Sequence, residues 1–394
     1  MTRRISVLAI AILLMPLLFV ISCGGGGGGS SSDAGGSGGG TAETGFYEGV
    51  ISGKGSVWVN GIEFNTDNAS VSGDVNSVDA LEIGMKVKII GTVTGSTGTA
   101  TSITYKAEIK GAIEGIDSNN NQFTVLGQTV IVDGATVYKN VTGLTGLKIN
   151  DLVEVSGYFD ANGNLRATYV ELKTGVSGYK VKGYISNLDT TNKTFNINAL
   201  QVDYRNVMSS PVLDNGLLVE VEGTLSGSTL MATKLEIEDE SHSVKDGDKV
   251  EIEGFITDYI SPASFKVNGI SVNASGSTFE HGTVSNLGNN VRVEVEGTID
   301  SNGVLIARKV EFKSGGSVGS GSDHDGYEEI KGYVSGKDPV NNTFTIGNLL
   351  IYVTNSTIWK HTTFSSIQIG DYLEVKGFID NQGRYIAIKV EKEH

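Results

Sequence analysis

The sequence predicts an all-β protein: five tandem, small, five-stranded barrels behind an N-terminal export segment and a flexible tether. Three observations carry this. Short alternating strands ending in glycine recur along the chain, turn-forming residues recur between them, and no stretch offers an amphipathic helix of several turns.

The export segment comes first. Arg3 and Arg4 precede an uncharged apolar run of 16 residues, 5–20, shorter than the about 20 residues a membrane-spanning helix needs. It reads as the apolar region of a signal peptide covering residues 1–22, with an uncleaved anchor helix, or an ordinary signal peptide and an incidental cysteine, as the alternatives. The run stops at Val20-Ile21-Ser22-Cys23, which resembles the bacterial lipobox. That resemblance implies that Cys23 receives a diacylglycerol, that the preceding peptide is cleaved, and that the new amine is acylated, for instance with palmitate. Two or three acyl chains, at about 0.8 kcal/mol per buried methylene, hold a protein stably to a membrane. Gly24 follows, rather than the Asp that typically retains such proteins at the inner membrane, so the expected address is the outer membrane, on its periplasmic or surface face. Cys23 is the only cysteine, which excludes a disulfide within the chain.

Residues 23–44 hold the cysteine and a Gly/Ser-rich tether with almost nothing to bury; as a flexible coil it reaches about 25 Å. The chain carries a net charge of −15, and cleavage after residue 22 removes Arg3 and Arg4 and no acidic residue, so the mature chain carries −17. Such a balance opposes nucleic acid, whose phosphates require Lys and Arg.

The repeats follow. One landmark strand ends in glycine: KVKIIGT (86–92), LVEVSGY (152–158), LVEVEGT (218–224), RVEVEGT (292–298) and YLEVKGF (372–378). A second follows each after a turn: ATSITYKA (100–107), ATYVELK (167–173), ATKLEIE (232–238), ARKVEFK (307–313) and AIKVEKE (387–393). A third opens each copy: YEGVIS (47–52), IKGAIE (109–114), VKGYIS (181–186), IEGFIT (252–257) and IKGYVS (330–335). The repeats are 45–107, 108–174, 177–238, 248–313 and 327–394, with linkers at 239–247 and 314–326. Period-two alternation puts Leu373 and Val375 on one face of strand four and Glu374 and Lys376 on the other. DANGN (160–164), DSNGV (300–304) and DNQGR (380–384) are hairpin turns between strands four and five. A longer piece between strands three and four, such as 362–371, is expected to make one helical turn and plug the barrel end. The strand order suits an OB-like barrel, which closes on itself and leaves no open edge; a five-stranded open sandwich is the alternative.

These motifs, G-x-[IV]-S, G-[DM]-x-V-x-V-x-G-T, D-x-N-G and A-x-K-V-E, resemble the domain of unknown function 5666, a bacterial repeat common in exported lipoproteins. The resemblance covers nearly all of residues 45–394 and implies no activity. The copy at 45–107 departs most, with Gly84-Met85 for Gly-Asp and a final hairpin lacking D-x-N-G.

Nothing in the chain has the spacing of a catalytic or metal-binding motif, so no catalytic residue, cofactor or metal is expected. His281, His361 and Asn140 share one place in three repeats, and the interchange of His with Asn marks a turn or cap. Asp323, His324, Asp325 and Glu328 sit in an acidic linker, best read as solvated. The remaining candidates for ligand contact are aromatic residues on outward positions: Tyr184, Phe255 and Tyr333 on strand one, Tyr158 and Phe378 on strand four. They suit either a sugar ring or a protein partner, or packing between repeats. The expected function is a non-catalytic, lipid-anchored envelope protein whose repeats form a binding or spacer array, with an envelope protein or polysaccharide as partner. The alternative is a surface lipoprotein binding glycans through these aromatics.

Overall fold

A computed structural model describes residues 43–394 except 176–177, 209–210, 239–243, 314–327, 348, 380–383 and 393–394, and omits the side chains of 43, 328–329, 355–356, 378–379 and 388. Cys23, the tether, most of both predicted linkers and the cluster around His324 lie outside the described residues. Val244, at the end of the linker read as 239–247, is buried in the core of the fourth repeat.

The last repeat shows the building plan. Its strands Glu328–Asp338, Thr343–Ile346, Leu349–Lys360, Tyr372–Ile379 and Tyr385–Lys392 pair in the order one-two-three-five-four, and strand four returns to strand one to close the barrel. Strands three and five run parallel; the other pairs are antiparallel. The alternation read from the sequence selects the inward set: Ile330, Val334, Leu373 and Val375 are buried. The same circuit of pairings recurs elsewhere, for instance along Lys249–Ser261, Ser264–Val267, Ile270–Asn273, Leu305–Phe312 and Arg292–Ile299 of the fourth repeat. The protein is all-β, built of small OB-like barrels, and no α-helix occurs among the described residues. The expected helical turn between strands three and four is a 3-10 turn at Val78–Ala80, Leu144–Gly146 and Val284–Asn286.

The landmark glycine of strand four has a steric cause. Each sits where the pairing with strand five slips by one residue, and a Cβ added at Gly157 would lie 2.1 Å from the Arg166 carbonyl oxygen. The bulge brings one strand hard over the other, which only glycine permits.

The barrels are not beads on a string. Strand one of the first repeat, Glu43–Gly53, pairs in parallel with strand one of the fourth, from Gly45↔Lys249 to Glu48↔Ile252. Strand one of the second, Ile109–Asp117, pairs with that of the third, Tyr179–Asp189, through Lys110↔Lys180 and Ile109↔Val181. The first and fifth repeats share one apolar core that also takes in Val137 and Tyr169 of the second. The second and third share another, while Phe46 of the first repeat packs into the core of the fourth. At Gly53 an added Cβ would come within 2.6 Å of the Lys331 carbonyl oxygen, so the first and fifth repeats meet backbone to backbone.

Some barrel faces that point away from their own cores are therefore covered by neighbours. Ser156 and Tyr158, outward on strand four of the second repeat, are 0% and 1% exposed. The charges carried on such faces are paired at the seams. Lys86 reaches Glu108 at 2.8 Å and Glu48 at 3.3 Å, Gly157 N–H donates to Glu108 Oε2 at 2.9 Å, and Lys180 meets Asp74 of the first repeat at 2.8 Å. Buried ions are tolerated when paired and hydrogen-bonded in this way, and they penalise any other arrangement.

Candidate binding cleft

Where the first, second, fourth and fifth repeats meet, they enclose a cleft of about 370 Å³, within the size range of small-molecule sites. Each repeat brings residues from its outward face. Trp58 and Asn60 come from the first, Tyr158 and Arg166 from the second, and Lys331 and Lys376 from the fifth. The fourth contributes Phe255 with a ladder of charged side chains.

That ladder follows from strand register. Glu253 stands opposite Glu294, and Glu294 opposite Glu311, across three neighbouring strands. Every second residue of a strand faces the same side, so the V-E-V and K-V-E patterns stack carboxylates on one face. Cations are interleaved. Arg292 donates through Nε to Glu253 at 2.7 Å, Lys313 lies 2.9 Å from Glu294 and 2.7 Å from Glu311, and Lys309 lies 3.4 Å from Glu311. Burial pushes the Glu294 carboxyl up to about 7, with Glu311 and Glu253 adding to the effect against Lys313. Burial also acts upward on Glu311, but Lys313, Lys309 and His281 outweigh it and hold that carboxyl below its usual range.

The aromatic and basic walls are interlocked. The Tyr158 and Phe255 rings meet edge to face at 6.5 Å. The Arg166 guanidinium lies 5.7 Å from the Phe255 ring and that of Arg292 5.9 Å from the Tyr158 ring, and the Lys331 ammonium sits 4.1 Å above Trp58, distances at which a cation is attracted by a ring face. Burial pushes the Tyr158 phenol well above its ordinary range, which keeps it neutral.

The outward aromatics thus have different fates. Tyr158 and Phe255, 1% and 8% exposed, are buried between repeats at the cleft. Tyr184, 39% exposed, packs edge-on to Phe159 at 6.5 Å beside a separate small hollow. Tyr333, 49% exposed, packs against Tyr372 at 4.9 Å, and the Phe378 side chain lies outside the described residues. Tyr184, Phe255 and Tyr333 do not line a common groove. His281, His361 and Asn140 all take left-handed backbone, with φ of 58°, 56° and 63°, and each aims its side chain at a strand-five glutamate: Glu311, Glu391 or Glu171. Among the described residues one group of three carboxylates, Glu220, Glu236 and Glu238, comes close enough to share an ion. Lys106 already occupies it, at 3.7, 3.3 and 2.8 Å.

Trp58, Arg166, Arg292, Lys331 and the Lys309–Lys313 pair were not singled out by sequence reasoning. They are spread from position 58 to position 331, each on an outward position that reads as ordinary surface until the repeats assemble. One signal was available: Arg292 replaces the leucine that opens the equivalent LVEV strands.

The family described as "Domain of unknown function (DUF5666)" matches residues 110–171, 182–236, 253–311 and 331–391. The chain belongs to this family. The four matches are tandem copies of the repeat, and the divergent first repeat lies outside them. No curated protein matches the chain. The solved structure of drosophila Unr CSD456 is similar at 14% identity over 56% of this chain and 99% of that one, with a TM-score of 0.14, a superposition that carries no argument about how the barrels are arranged.

Proposed function

We propose that this chain is a non-catalytic lipoprotein of the bacterial cell envelope, whose barrels form a binding body held off the membrane by the Gly/Ser tether. Support for the anchor comes from the short apolar run ending at Cys23 and the Gly/Ser-rich coil after it. The observation that favours a binding body over a spacer is the pair of ladders joining repeat one to four and repeat two to three. They fold the array back on itself, which shortens its reach and builds a cleft. Rings and charged side chains from four repeats converge on that cleft, a convergence suited to holding a ligand. A glycan-binding surface would present exposed aromatics together, whereas Tyr158 and Phe255 meet but are buried and the more exposed Tyr184 lies at a different hollow.

The experiment is cellular. Native protein should take up label from a fatty acid and fractionate with membranes, and Cys23→Ser should lose the label and leave the membrane fraction. Chemical crosslinking in intact cells should then join the native protein to envelope components and not to cytoplasmic ones. An unmodified mature N-terminus, or one far from residue 23, rejects the anchor; absence of any envelope crosslink rejects the binding role.

A further inference from the structure

We infer that the cleft between the first, second, fourth and fifth repeats takes a small organic anion, a carboxylate, sulfonate or phosphate carried on a flat apolar body. This rests on the binding role proposed above and names the ligand class for the cleft.

The first ground is charge. In a chain of net −15, this lining carries six cations, Arg166, Arg292, Lys309, Lys313, Lys331 and Lys376, against four carboxylates, Asp133, Glu253, Glu294 and Glu311. With Asp160 and Glu374 behind the lining the balance is near neutral, so within an acidic protein the cleft repels an anion least. The second ground is where the positive groups stand. The cations of the fourth repeat are answered by Glu253, Glu294 and Glu311 within the lining. Two of those on the other walls are answered from behind it: Arg166 by Asp160, at 3.0 Å through Nε, and Lys331 by Glu374, at 3.0 Å. Among the described residues Arg166 is met by a carboxylate through its Nε alone, and its guanidinium lies against the Phe255 ring. A guanidinium held by a ring and a carboxylate behind it is preorganised to meet an anion in front. The third ground is the apolar share of the walls: the half-buried Val50, Trp58 and Phe312 offer contact for a hydrocarbon body.

The probe is 8-anilinonaphthalene-1-sulfonate, compared with N-phenyl-1-naphthylamine, which keeps the rings and lacks the sulfonate. Both are titrated into the lipid-free chain, residues 24–394, and followed by dye fluorescence and by energy transfer from tryptophan. The anion is expected to bind at one site about tenfold more tightly than the neutral dye, the scale of one charge-assisted hydrogen bond. Arg166→Gln and Lys331→Gln should each remove most of that preference while leaving the circular dichroism spectrum unchanged. Because Trp58 lines the cleft and Trp359 packs on Phe344 and Phe364 in the fifth barrel, Trp58→Phe should abolish most of the transfer. Equal affinity for the two dyes, an undiminished preference in both charge variants, or transfer that survives Trp58→Phe each overturns the inference. If Arg166→Gln alters the spectrum through loss of its Asp160 pair, Lys331→Gln decides. Envelope crosslinking that persists while the anion fails to bind would reject the cleft's ligand and leave the binding role standing.

Discussion

Strand four reads LVEVEGT at 218–224 in the third repeat and RVEVEGT at 292–298 in the fourth, yet their outward glutamates keep different company. Glu220 is met by Lys180 at 3.6 Å and by Lys106 at 3.7 Å, and Lys106 comes from the first repeat. Burial raises the Glu220 carboxyl against Lys180 and Lys106, as it raises Glu294, whereas on the neighbouring Glu238 Lys182 and Lys106 overcome burial and hold the carboxyl at about 2. Glu294 draws its cations, Lys313 and Lys309, from its own repeat, and burial wins, leaving it at about 7. The third repeat's face is docked against another barrel, while the fourth's borders the cleft. One outward pattern of alternating charge therefore yields a seam or a site, according to whether a neighbour inserts a lysine.

What the two repeats share should break equally in both. Gly223→Ala and Gly297→Ala place a Cβ 2.1 and 2.2 Å from a strand-five carbonyl oxygen, and each should cost about 3 kcal/mol or more, the upper range for overpacking. Urea unfolding of the lipid-free chain measures this; a tolerated alanine at either site would show that the bulge is not obligatory.

The docked face should depend on its borrowed cation. Lys106→Met leaves Glu220, Glu236 and Glu238 clustered with one cation fewer, at an expected cost of roughly 2–3 kcal/mol near neutral pH, shrinking as the carboxylates protonate in acid. Lys234, half exposed beside Glu222 and Glu236, provides the contrast: Lys234→Ala should change stability by no more than about 0.5 kcal/mol. Equal effects at both lysines would contradict a seam held by the first repeat.

The pH response should separate Glu294 and Glu238 by sign. Glu294, raised in the folded protein, keeps a proton that the unfolded chain releases, so its contribution falls as pH rises from about 4.5 to about 7. Glu251 and Glu253 on one flanking strand and Glu311 on the other add repulsion once Glu294 ionises. Glu238, lowered, contributes stability above about 4.5 that is lost as pH falls towards about 2. Glu294→Gln is accordingly expected to gain on the native protein by about 1–2 kcal/mol between pH 5 and pH 8, since Lys313 retains Glu311. Glu238→Gln should be destabilised at pH 7 and converge with the native protein near pH 2. Parallel pH profiles for the two variants would erase the distinction.

Much of the barrel is legible in the residue pattern alone. Leu373 and Val375 against Glu374 and Lys376 give the pleat its two faces, and the asparagine-glycine pair Asn60-Gly61 takes positive φ at both residues, as a tight hairpin needs. The equivalence of His281, His361 and Asn140 correctly marked a turn, because left-handed backbone tolerates Asn and His better than branched residues. The cleft was less legible. Outward residues carry a period but no address: Tyr158 and Tyr333 read alike, and the structure buries one and leaves the other half exposed.

The sequence by itself determined the repeat, the strand alternation and the turns, because these depend on steric and hydrophobic contacts within about sixty residues of chain, and the pairing of strand four back to strand one decided for a closed barrel over an open sandwich. Tertiary structure decided which barrels join edge to edge and which outward charges become buried pairs. It also decided where the covered faces part to leave a cleft. Those outcomes rest on desolvation and on Lys86, Lys106 and Lys180 meeting carboxylates of other repeats, interactions whose sign and strength depend on burial that no local pattern encodes.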